Sequence, residues 1–132
     1  MRGLTLAIAL LACLGISGCG ESCDYVVLSE AKSPDGKLKA VVFQRGCGTA
    51  IDSSTHVSIV KSEVQSLHLG RGNLFIAGDD RRGAAAHEKP PTDIKATWGS
   101  NSSLTISYPK GTQVLLRNAG AAGVAVKYDF RP

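Results

Sequence analysis

Aromatic residues are scarce in this 132-residue chain, at 5%, and several patterns that would carry chemistry are missing. Nowhere do five charges of one sign stand together. The net charge of +4, from 15 basic and 11 acidic residues, therefore gives little support for nucleic-acid binding or for a polybasic membrane patch. No serine has the G-x-S-x-G setting of a nucleophile elbow. Gly70-Arg71-Gly72 falls short of a dinucleotide fingerprint because Phe75 stands where the third glycine belongs. His87-Glu88 lacks the second histidine of H-E-x-x-H, since Pro91 occupies that position and prolines break the helix the motif needs. Asp79 and Asp80 adjoin Arg81 and Arg82, which repel a cation. No metal site, no cofactor and no enzymatic activity is expected.

What the chain does have begins with its first 18 residues. A short basic start at Arg2 is followed by an apolar stretch from Leu4 to Ile16 and the small pair Ser17-Gly18. A spanning helix needs roughly 20 apolar residues, and this shorter run reads as an export signal, helical in its apolar part. Ile16-Ser17-Gly18-Cys19 resembles the lipobox of bacterial lipoproteins. The resemblance implies that Cys19 carries a diacylglycerol thioether and becomes the first residue of the mature chain, which is then tethered to the membrane. Gly20 stands where an aspartate would retain such a protein in the inner membrane, so the outer membrane is favoured if the cell has one. Residues 1–18 are then the signal, 19–22 the lipidated cysteine and a short tether, and 23–132 a single domain.

With Cys13 removed and Cys19 lipidated, Cys23 and Cys47 remain in an oxidising compartment, and an even remainder suggests one disulfide. A zinc site is the poorer reading, because no histidine stands at ligand spacing. Between the two cysteines lies Ser33-Pro34-Asp35-Gly36-Lys37, a hairpin signal in which proline, aspartate and glycine each suit their turn position. A three-residue loop of Pro34, Asp35 and Gly36 pairs Ser33 with Lys37. In that register the numbers of opposed residues add to 70, and Cys23 faces Cys47.

Apolar and polar residues alternate with period two in Val57/Ile59, Ile94/Ala96/Trp98, Leu104/Ile106/Tyr108 and Val124/Val126/Tyr128/Phe130. Adding Tyr25 to Glu30, Lys37 to Gln44, Asn73 to Ala77 and Gln113 to Arg117 gives about eight strands. The expected fold is all-β, a small antiparallel sandwich or partly open barrel. Gly99-Ser100-Asn101-Ser102, Pro109-Lys110-Gly111 and Asn118-Ala119-Gly120 read as turns, and Val64 to Leu69 as strand or turn. His56 alternates with Val57 and is expected on a solvated polar face.

The hairpin segment, the strand ending Val41-Val42-Phe43, Arg45-Gly46-Cys47-Gly48 and Ser54-Thr55-His56-Val57-Ser58-Ile59 together resemble a family of short bacterial proteins of unassigned activity, many of them lipoproteins. The likeness extends more loosely through Trp98 and the closing strand. It agrees with a lipid-anchored envelope protein acting as a binding or structural module. The alternative is a small exported hydrolase-like enzyme drawing on the segment 78–92, which is longer than ordinary connections. Within that segment Arg81, Arg82, His87 and Lys89 form a candidate contact surface for an envelope protein or an anionic envelope component.

Overall fold

The computed structural model describes residues 23–47, 54–65, 69–78 and 93–132, and of Cys23 and Cys47 the backbone only. The signal segment, Cys19 and the tether lie outside the described residues, as do Arg81, Arg82, His87 and Lys89. The described chain is all-β, with no helix. Its strands are β1 (Cys23–Lys32), β2 (Leu38–Cys47), β3 (Ser54–Lys61), β4 (Phe75–Ala77), β5 (Lys95–Ser100), β6 (Ser103–Pro109), β7 (Val114–Arg117), β8 (Gly120–Ala121) and β9 (Val124–Arg131). Eight of them overlap segments that the sequence marks as strands, four by alternation and four added to these. The ninth, β8, begins at Gly120, inside a stretch expected to be a turn. Among the described residues of Val64 to Leu69 there is no strand; a turn at Ser62-Glu63 ends β3 instead.

Two sheets result, one of five strands in the order β1-β2-β3-β4-β7 and one of four in the order β5-β6-β9-β8. The expectation of purely antiparallel pairing is corrected in the second sheet, where β6 and β9 run parallel. The reason is topological. After β6 the chain crosses to the first sheet as β7 and comes back through β8, and a connection of that kind brings a strand in alongside its neighbour in the same direction.

The first hairpin corrects a second expectation. Ser33 N–H donates to Leu38 O at 2.8 Å and Lys32 opposes Lys39, so the loop has four residues, Pro34 to Lys37. The Asp35 carboxylate is the cause: its Oδ1 accepts from the Lys37 N–H at 3.0 Å and from Ser33 Oγ at 2.7 Å, which takes Lys37 out of the ladder. Close to the turn the opposed numbers therefore add to 71. A bulge at Leu28, between Val27 and Ser29, then absorbs one residue, and from Val27↔Phe43 onward the pairs add to 70. The two displacements cancel, and the backbone of Cys23 lies opposite that of Cys47.

The main core lies between the sheets. Ala40, Val42, Val57, Ile59, Phe75 and Ala77 from the first meet Leu104, Ile106, Tyr108 and Val124 from the second. Each large side chain so buried contributes about 1.5–3 kcal/mol. Hydrogen bonds close the layers at separate places: Trp98 Nε1–H donates to Ala31 O at 2.7 Å, and the Tyr128 hydroxyl lies 2.6 Å from Asn118 O and 3.0 Å from Leu74 O. A smaller cluster of Val41, Phe43 and Leu69, flanked by Tyr25, Val60 and Val64, covers the outer face of the five-stranded sheet.

Candidate functional site

His56 is not solvated. It is 3% exposed, because β3 is the middle strand of its sheet and the segment leading into β4 folds back over its outer face. The ring stacks on Phe43 at 5.3 Å, and Gly72 N–H donates to Nδ1 at 2.9 Å. Gly72 is there for room: a Cβ on it would lie 2.9 Å from His56 Cβ and 3.1 Å from the carbonyl oxygens of Val57 and Phe75. Burial, with Arg45 and Arg71 adding to it, lowers the imidazole pKa from 6.5 to about 4. The ring is therefore neutral near pH 7.

Ser54 Oγ lies 2.6 Å from His56 Nε2, a pair with the outward form of a nucleophile and its base. The direction of the bonds is wrong for that chemistry. Nδ1 already accepts from Gly72, so the single proton of the neutral ring sits on Nε2 and donates to Ser54. A general base needs the free lone pair on the nitrogen facing the hydroxyl. The arrangement anchors the crossing of Gly72 over β3.

A concave site lies elsewhere in the described structure, an open-sided cleft of about 440 Å³ lined by Tyr108, Lys110, Gly111, Thr112, Val114, Phe130 and Pro132. It forms where β6 ends beside the end of β9. Parallel pairing opposes Tyr108 to Phe130 and Pro109 to Arg131, and Lys110 N–H continues the ladder to Arg131 O at 2.8 Å. Gly111, at φ 88°, turns the chain back, and the turn is held by Thr112 N–H and Oγ1, both donating to Pro109 O. Phe130 stands edge-on to Tyr108 with ring centroids 5.2 Å apart, yet is 60% exposed, although the alternation of β9 assigns it to the buried face.

Lys110 is the one lining residue of the cleft with a charged side chain. Arg131 is held by Asp93, Nη1 to Oδ1 at 3.0 Å with Nη2 donating to the Asp93 carbonyl, while Arg117 Nη1 donates to the Tyr108 hydroxyl at 3.4 Å. Lys110 is exposed and has no ion pair with a described residue. An apolar wall with a free ammonium at its rim suits a ligand that combines hydrocarbon or ring surface with negative charge.

Register fixes where the cleft lies relative to the start of the domain. Val26, Gln44, Thr55, Ala77 and Val114 form one row across the five-stranded sheet. Cys23, the end of β2, the start of β3, Gly78 and the cleft thus share one end of the molecule. At the opposite end Asp35 N–H donates to Asn101 Oδ1 at 2.8 Å, joining a turn of each sheet. The sequence marked Pro109-Lys110-Gly111 as a turn and Phe130 as apolar. It held no signal that brings them together, because parallel neighbours are far apart in the chain. The chain matches no protein-family model, no curated protein and no solved structure.

Proposed function

We propose that this is an exported, lipid-anchored cell-envelope protein, attached to the membrane through Cys19, whose β-sandwich domain serves as a binding or structural module and not as an enzyme. The observation that carries the reading is Ile16-Ser17-Gly18-Cys19 closing an apolar leader four residues ahead of the first strand of the β domain. It agrees with the likeness to short bacterial lipoproteins. Each buried methylene contributes about 0.8 kcal/mol, so two or three acyl chains hold the protein durably where one would not. Gly20 favours the outer membrane where the cell has one.

Cys23 and Cys47 form the disulfide in this reading, supported by their opposed positions in the β1–β2 ladder. Lys110 and the apolar wall beside it support an anionic envelope component as the ligand. The hydrolase reading draws no support from Ser54 and His56, whose hydrogen bond points the wrong way.

Mass spectrometry of the mature amino terminus is the test. A diacylglyceryl-modified Cys19 as first residue, and release of Cys19→Ala from membranes, are the expected results. An unprocessed chain beginning at Met1 would overturn the proposal.

A further inference from the structure

We infer that the cleft end of the domain rests on the bilayer, with Phe130 in the interface and Lys110 against anionic phospholipid headgroups. This rests on the anchor proposed above and adds to it an orientation and a lipid preference. A lipid attached by a long tether leaves a domain free to tumble. Here the tether is short. Four residue steps separate Cys19 from Cys23, so the first strand starts at most about 14 Å from the Cα of Cys19.

The end of the domain that faces the anchor is set by register. Along the row from Val26 to Val114, four interstrand steps of about 4.8 Å carry the cleft about 19 Å sideways from β1. The turn 109–112 and the end of β9 project at the same end as Cys23. An anchor there brings that end, and not the Asp35–Asn101 end, to the headgroups.

Side-chain chemistry at the two ends differs in the matching sense. The anchored end shows Phe130 at 60% exposed, Leu115 at 53% and Val26 at 55%, each apolar and unburied within the described structure. Lys110 is free of acidic partners among the described residues, and Asp93 is engaged by Arg131. Exposed aromatic and aliphatic side chains beside a free cation suit the anionic interface, where the ring enters the headgroup layer and the ammonium stays at the phosphates. The far end exposes Pro34, Asp35, Gly36, Lys37, Asn101 and Ser102 and so carries charge too, but no large exposed apolar side chain stands beside its lysine among the described residues.

The experiment uses the full lipidated protein in vesicles of phosphatidylcholine alone and of phosphatidylcholine with phosphatidylglycerol, followed by hydrogen exchange of backbone amides. Flotation and the mass of the amino terminus report the anchor in the same samples. In the anionic vesicles Gly111, Gln113 and Phe130 are expected to exchange several-fold more slowly than in detergent, with Asp35, Gly36 and Asn101 unchanged. Phe130→Ser and Lys110→Glu lose that protection while still floating. Both side chains are exposed, so the fold survives, as the unchanged exchange of the core strands will report. Lipid present with the cleft amides unprotected overturns the docked orientation alone, as it would if the cleft instead takes a protein. Equal protection in the neutral vesicles overturns the role of Lys110. No lipid on the amino terminus overturns the anchor and the orientation together.

Discussion

At the scale of single residues, His56 and Ala122 each carry a measurable cost. The unfolded chain takes up a proton on His56 as pH falls through 6.5, whereas the folded chain does so only near 4. Stability from the neutral ring is thus complete above pH 6.5, declines as pH falls through that window, and is gone below about 4. The full difference is on the order of 3 kcal/mol. His56→Asn, whose Oδ1 can still accept from Gly72, should flatten the dependence of the urea midpoint on pH between 6.5 and 4, and an unchanged slope would show that other groups cause it. Ala122 has φ 52° in the two-residue turn with Gly123 that joins β8 to β9, a conformation that side chains other than asparagine and glycine resist. Ala122→Asn should raise stability by ~0.5–1 kcal/mol, readable as a higher melting temperature. The position of His56 in the sequence said polar face, correctly by period. That both faces of β3 are covered depends on which strands flank it and on where Gly72 returns, and neither is a local property.

Among the elements, the β1–β2 hairpin combines a legible turn with a hidden bulge. Gly36 sits at φ 73°, so Gly36→Ala should cost about 1 kcal/mol despite having open space around it. Urea denaturation of the variant measures this, and a neutral result would mean the loop relaxes. If Cys23 and Cys47 are joined as proposed, reduction, or replacement of both by serine, should lower stability by about 3 kcal/mol. Alkylation before and after reduction tells whether the bond exists, since two thiols open to alkylator in the exported protein would rule it out. Opposition of the two cysteines was readable from proline, aspartate and glycine in the turn, but by way of a register that holds over only part of the hairpin. Asp35 lengthens the loop by one and Leu28 bulges by one. The first effect is a side-chain hydrogen bond visible in principle in the sequence. The second has no turn residue or glycine to announce it.

For the whole molecule, the closure of two sheets around one core is the feature with consequences for stability and for the cleft. Trp98 reaches Ala31 on the β1 side, and Tyr128 reaches Asn118 and Leu74 on the other, where burial raises the phenol pKa. Trp98→Phe and Tyr128→Phe should each lower stability by about 1 kcal/mol and more where the carbonyl left behind stays dry. Urea titration of the double variant should give the sum, because the two bonds share no partner; a larger loss would show that the sheets open as one unit. By itself the sequence determined that the described part of the chain is all-β and which side chains alternate along its strands, because strand period and turn chemistry are written in neighbouring residues. Only the tertiary structure decided that β6 and β9 lie parallel, that His56 is dry, and that Phe130 opens beside Lys110 into a cleft. Those outcomes are set by contacts between residues distant in the chain, whose pairing no local pattern encodes.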